Sequence, residues 1–205
     1  MPPKSKAALV GKALFAQYSL LAYNLAEAAL SLFFGNAANS IALVSFGLDS
    51  LIESASTLIV THRLRASGKV SVQEEERRER RAFMLVGWSF ILLSAYVAIE
   101  SIRKLFLHEI PAPSLPGMVI AAASILVMPL LSKYRHGIGH EIGSHALVAD
   151  SKQTMLCAYM SAALLAGMGA NFLFGFWWAD PLAGLIIAAL AFLEGRKALR
   201  GETCC

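Results

Sequence analysis

Two acids, Asp49 and Glu53, stand inside Ser40–Thr61, a run that otherwise has the length and apolarity of a membrane span. At the α-helical rise they lie about 13 and 20 Å from the start of the run. Both are therefore near the middle of a hydrocarbon core about 30 Å thick. A carboxylate at that depth costs several kcal/mol unless it is paired, hydrated or bound to a cation, so it marks a functional site by default. Their spacing of four residues puts both side chains on one helix face, where they can converge on one cation.

The rest of the chain fits a membrane reading. It is 57% hydrophobic with a mean hydropathy of +0.58, well above the soluble average. Six apolar runs are visible: Ala13–Leu32, Ser40–Thr61, Ala82–Ile102, Pro116–Leu131, Ala146–Phe174 and Ala179–Leu193. The expected fold class is all-α, an integral membrane protein with six transmembrane helices. Residues 1–12 and 196–205 form short tails around a membrane domain at 13–195. The start Met-Pro-Pro-Lys-Ser-Lys has no small-residue cleavage site, so the first run is expected to be retained.

The net charge of +4 is explained by topology rather than by affinity for nucleic acid. Fifteen of the eighteen Lys and Arg lie before the first run, between the second and third, between the fourth and fifth, or after the sixth. The exceptions are Arg103, Lys104 and Lys152. By the positive-inside rule both termini are cytoplasmic. The other side carries short links: Gly35–Asn39, Leu107–Leu115 and Gly175–Trp178. Trp177 and Trp178 suit the headgroup level. The segment Gln73–Arg81 places Glu before Arg at i,i+4 (Glu74–Arg78, Glu76–Arg80) and reads as a solvated helical lead into the third span. Small residues inside the runs, Ala26, Ser54, Gly167 and Gly169 among them, permit close helix packing in lipid.

The fifth run offers partners for the two acids. Gln153 and Cys157 also share a face at spacing four, and the second and fifth runs are antiparallel. With a helix start near Ser144, Gln153 and Cys157 lie about 13 and 20 Å deep, level with Glu53 and Asp49. Two carboxylates, an amide oxygen and a thiolate make a four-ligand set, and the sulfur tilts it toward softer ions such as Zn²⁺, Cd²⁺ or Co²⁺. The plainer alternatives stay open. A lone Cys in an apolar helix serves equally as a small packing residue, Gln bonds across helices, and Lys152 is a conceivable ion-pair partner for the acids. Asn24 and Glu27 read as helix-to-helix bonding groups or as lining of a vestibule, or else as supports of an ion's ligands or a transient ion contact. Glu100 and Asp180 read as interfacial, and His136 and His140 as solvated loop residues or an ion-gathering pair. Cys204 and Cys205 read as a frayed tail or a capture site for a soft metal.

Ser40-Ile-Ala-Leu…Asp49-Ser-Leu-Ile-Glu53 resembles the second helix of the cation diffusion facilitators, Ser-x-Ala-Leu…Asp-x-x-x-Asp. Ser144-His-Ala-Leu-Val-Ala-Asp150-Ser-Lys-Gln-Thr resembles their fifth helix, and Ala179-Asp180-Pro181-Leu182-Ala183 the opening of their sixth. The resemblance covers nearly the whole chain. It implies a secondary transporter that exports Zn²⁺ or a similar ion from the cytoplasm, usually by exchange with protons. The intramembrane metal site then falls on Asp49, Glu53, Gln153 and Cys157, with Gln153 in place of the family's His and Cys157 in place of its last Asp. No prosthetic group is implied; the divalent metal and protons are substrates, and the lipid bilayer is the solvent. Gly68–Arg81 has no His, so the accessory zinc site some members carry there is not expected. The soluble C-terminal metal-sensing domain is not expected either, which leaves the membrane helices as the surface for any homodimer. The expected location is a bacterial inner (plasma) membrane. The competing reading is a membrane metal-binding accessory or sensor on the same fold that moves no ions. An enzyme is not expected, since no nucleophile–base pair or cofactor motif is present.

Overall fold

The computed structural model describes residues 3–66 and 72–200, with side chains described for 8–65, 80 and 84–200. Helix α1 spans Pro3–Ala37, α2 Ile41–Ala66, α3 Val72–Leu107, α4 Leu115–Ile142, α5 His145–Phe174 and α6 Ala179–Arg200. No strand occurs among the described residues. Buried Ser, Asn, Glu and Asp line the interior while Phe15, Leu85, Leu126 and Leu130, each about 70% exposed, face outward. That inversion of the soluble pattern suits a lipid solvent, where every backbone polar group must be satisfied within its own helix. The protein is an all-α integral membrane protein.

Four helices, α2 to α5, are long and apolar enough to cross a membrane by length and composition. α1 is diluted by the buried polar residues Gln17, Asn24 and Glu27. α6 carries Asp180 in its first turn and Lys197 and Arg200 in its last.

Helix ends follow local chemistry. Ser114 caps α4, its hydroxyl accepting from the Gly117 amide, and Pro116 stands in the first turn, where its missing N–H costs nothing. α4 passes Pro129 and continues to Ile142, so the fourth–fifth link expected to hold Lys133, Arg135, His136 and His140 is instead helix. The true link is Gly143, at φ 70°, and Ser144, whose hydroxyl accepts from the Leu147 amide. That cap puts the start of α5 where the depth comparison required it. The segment Gln73–Arg81 lies on α3, but the Glu–Arg pairs expected there, and Cys204 and Cys205, lie outside the described side chains.

α1 packs on α2, α4 on α5, and α3 on α6, while α2 also touches α3, α5 and α6. Close approach depends on small residues. A Cβ at Gly167 would lie 2.5 Å from the Ala183 Cβ and 2.8 Å from the Ala179 carbonyl, fixing the α5–α6 distance. Gly169, expected to serve the same purpose, faces open space.

The end opposite the termini is tied by polar contacts. Lys104 donates to the Asn39 carbonyl at 2.8 Å and to its side-chain oxygen. Arg103 bonds Glu109 at 2.8 Å and Glu100 at 2.9 Å, and the Ala112 amide donates to the Ala38 carbonyl at 2.8 Å. Asp180, expected at an interface, is buried: it accepts from the Ser40 hydroxyl and from the Ile41 amide at 3.1 Å, pinning the start of α6 to the start of α2. Desolvation alone would lift the Glu109 carboxyl, but the Asn39 amide and the Arg103 and Lys104 cations outweigh it and hold the group below its ordinary range. A depressed acid contributes stability above its unfolded pKa and loses it as pH falls through the folded one. In detergent, Glu109→Gln should therefore melt below wild type at neutral pH. The two melting temperatures should converge as pH drops through the carboxylate range; a constant gap would show that the charge of Glu109 contributes nothing.

Candidate functional site

Asp49 and Glu53 lie on α2, Gln153 and Cys157 on α5, and all four are buried, none more than 8% exposed. The Cys157 thiol donates to Asp49 Oδ2 at 3.0 Å. Gln153 Oε1 accepts from the Ser56 hydroxyl at 3.2 Å, while its Nε2 has no partner. Both Glu53 oxygens are buried without a hydrogen bond. A carboxylate left so must hold a proton or a cation to be tolerated away from water. The four side chains line one cavity of about 10 Å³ together with Phe90, Leu156, Met160 and Glu194, room for a single water-sized guest. Lys152, weighed as an ion-pair partner for the acids, is exposed.

The structure thus brings the four residues to one cavity without closing them into a coordination shell. Among the described residues no three His, Cys, Asp or Glu side chains converge closely enough to hold a metal ion. Cys157 is engaged by Asp49, and Gln153 by Ser56.

A second polar cluster sets the relative height of these helices. Arg135 on α4 is wholly buried and pairs with Asp150 on α5. Its other arm donates to the Thr154 hydroxyl at 2.6 Å. Asp150 also accepts from Ser56 of α2 at 2.7 Å and from Gln17 of α1 at 3.3 Å. Ser56 therefore bonds both Asp150 and Gln153, and links the ion pair directly to the cavity. Further up the bundle, Glu27 of α1 accepts from Ser50 of α2 at 2.7 Å and from Ser124 of α4, and the Tyr23 hydroxyl meets Ser124 at 2.9 Å. Glu27 is a helix-bonding group. Asn24 beside it has neither side-chain atom bonded.

Two residues of this neighbourhood escaped the sequence. Arg135 counted as a loop charge; the signal against that was the uninterrupted helical composition after Pro129. Glu194 follows the last apolar run by one residue, yet it continues the buried positions Gly184, Ile187, Ala188 and Ala191 of α6. His136 and His140, expected in a link, sit one turn apart on α4 with their Nε2 atoms 3.1 Å apart, and His136 Nδ1 meets the Ser151 hydroxyl at 3.1 Å.

Several helices apolar enough to cross a membrane, with polar groups from α2 and α5 meeting inside the bundle, define a multi-pass membrane protein with a buried polar centre, the layout of a transporter. The chain belongs to the cation efflux transmembrane domain family, whose model matches residues 18–202. It is 42% identical over 117 residues to a probable cation efflux system protein of Mycobacterium tuberculosis, covering 55% of this chain and 34% of that one. It is 29% identical over 106 residues to the magnetosome protein MamB of Paramagnetospirillum magneticum, covering 52% and 36%. A match of 23% over 165 residues to an uncharacterized transporter of Methanocaldococcus jannaschii covers 78% and 58%. The chain spans between about a third and three fifths of the length of these relatives.

Removing one partner of a buried ion pair strands the other charge, at a cost of about 3–5 kcal/mol. Arg135→Met should lower stability by about that amount, and Arg135→Met/Asp150→Leu should recover much of the loss. Denaturation of both variants in detergent checks this; equal destabilisation by the single and double variants would show the pair is not the source.

Proposed function

We propose that this domain moves a divalent transition-metal cation across the membrane, exporting it from the cytoplasm in exchange for protons, with Asp49, Glu53, Gln153 and Cys157 as the ion site. The observation that carries the reading is the convergence of these four buried side chains on one small cavity with a Glu53 carboxylate that has no partner. Family membership and the cation efflux relative support the substrate class. The Lys and Arg distribution supports cytoplasmic termini, and the long apolar helices support a membrane location.

On this reading the carboxylates of Asp49 and Glu53 supply charge, the Gln153 carbonyl a neutral oxygen, and Cys157 a sulfur. Binding displaces the thiol proton now shared with Asp49, and any proton on the carboxylates, so metal affinity falls as pH falls. Release on the far side follows when protons return to the same atoms. Gln153 cannot titrate, so coupling rests on the acids and the thiol. The sulfur biases the site toward Zn²⁺ and Cd²⁺ over Mn²⁺.

Two measurements in proteoliposomes test this. Asp49→Asn keeps the shape and removes the charge, and should reduce Zn²⁺ uptake driven by a pH gradient to background; undiminished flux would remove Asp49 from the site. Wild-type protein that binds Zn²⁺ but never carries it across would instead mark a metal-binding accessory. The second measurement concerns the sulfur. Cys157→Asp should retain transport and shift preference toward Mn²⁺, while Cys157→Ser should lose Cd²⁺ uptake most. If all three proteins rank Cd²⁺, Zn²⁺ and Mn²⁺ alike, Cys157 only packs.

A further inference from the structure

Glu194 is an acid that neither the sequence motifs nor the four-residue group includes. It is 6% exposed, and its Oε2 has no hydrogen bond. Its nearest cation is Lys197, one turn on, with Nζ 3.6 Å from Oε2 and a side chain 52% exposed. That pair balances the charge but leaves the buried Oε2 without a hydrogen bond, so it does not satisfy the carboxylate. Burial of the acid therefore needs another explanation.

A second cavity, of about 530 Å³, lies between α4, α5 and α6 toward the end that holds both termini. Lys133, His136, Lys152, Tyr159 and Lys197 are among its walls. Leu156 and Glu194 line both this cavity and the small one beside Asp49 and Glu53. Together they form the partition between the two spaces. Glu194 is also the one acid among the described residues that line the larger cavity, against three lysines. A divalent cation there is repelled by every charged side chain except Glu194. That carboxylate faces the small cavity too, where the Asp49 and Glu53 carboxyl groups are.

We propose that Glu194 is a transfer site for the transported cation. It takes the ion from the larger cavity and passes it across the Leu156 partition to Asp49 and Glu53, and Lys197 supplies the counter-charge while no metal is present. The proposal rests on the ion-site reading above and adds a station on the route to it. Its function is kinetic: it lowers the penalty of bringing a dication past three lysines, and it need not hold the ion tightly at equilibrium.

The test combines Zn²⁺ uptake into proteoliposomes with equilibrium Zn²⁺ binding in detergent, for wild type, Glu194→Gln, Glu194→Asp, Lys197→Gln and Asp49→Asn. Glu194→Gln should slow uptake about tenfold while binding stays near the wild-type affinity, and Glu194→Asp should recover part of the rate. Lys197→Gln should lower the Zn²⁺ concentration for half-maximal uptake, because the competing cation is gone. Normal uptake by Glu194→Gln overturns the proposal. Loss of equilibrium binding as complete as in Asp49→Asn also overturns it, since Glu194 would then be a ligand of the site itself. If Glu194→Gln does not purify as folded protein, Lys197→Gln decides, and an unchanged half-saturating concentration rejects the transfer role. Failure of the ion-site reading appears separately, as Asp49→Asn that binds and carries Zn²⁺ like wild type.

Discussion

The carboxylate of Asp150 holds together most of what matters in this bundle. It receives Arg135 from α4, Ser56 from α2 and Gln17 from α1, so one residue of α5 is fixed against three other helices. In lipid there is no hydrophobic drive between apolar helix faces, and such polar ties decide which helices meet and at what height. Height is the critical variable. A slip of α5 by a single turn, about 5.4 Å, would carry Cys157 away from Asp49 and move Gln153 off Ser56. The ion pair is thus a registration device for the cavity beside Asp49 and Glu53, whose walls it does not join.

Because Ser56 bonds both Asp150 and Gln153, the pair and the cavity share a hydroxyl. Moving the Gln153 amide toward an ion would release Ser56 to Asp150 alone, and the reverse change would restore the present arrangement. In the Cys157–Asp49 contact, likewise, each group satisfies the other. Glu53 alone has no such substitute. Three of the four groups thus have protein partners and one has none.

Much of this could be read from residues. Helix count, order and the antiparallel levels of Asp49, Glu53, Gln153 and Cys157 follow from run lengths and the 1.5 Å rise, because a continuous apolar run of about 20 residues can satisfy its backbone in lipid only as a helix. The positions that could not be read were charges. Hydropathy treats Arg135 as a reason to end a span, yet a charge that finds Asp150 and Thr154 can stay inside one. Asp180 at a span boundary looked interfacial because its partners, Ser40 and the Ile41 amide, come from a helix 140 residues away in the chain. Glu194 falls just past an apolar run, and only the buried face of α6 distinguishes it from a solvated end. Helix termini were legible where a capping residue was present, as at Ser144.

The contact at Gly167 makes α6 a lever with its fulcrum off centre. α6 meets the Gly167 backbone of α5 at Ala179 and Ala183, and Asp180 anchors the same stretch to α2. From Ala183 to Glu194 the helix extends about 16 Å. A tilt of about 10° around that contact would sweep Glu194 through roughly 3 Å at the long end, with little displacement at the short one. α3 would travel with α6, since Gly87 and Gly195 hold those two backbones together as well. A small rotation at the pinned end would therefore be felt mainly at the Glu194 end of the helix.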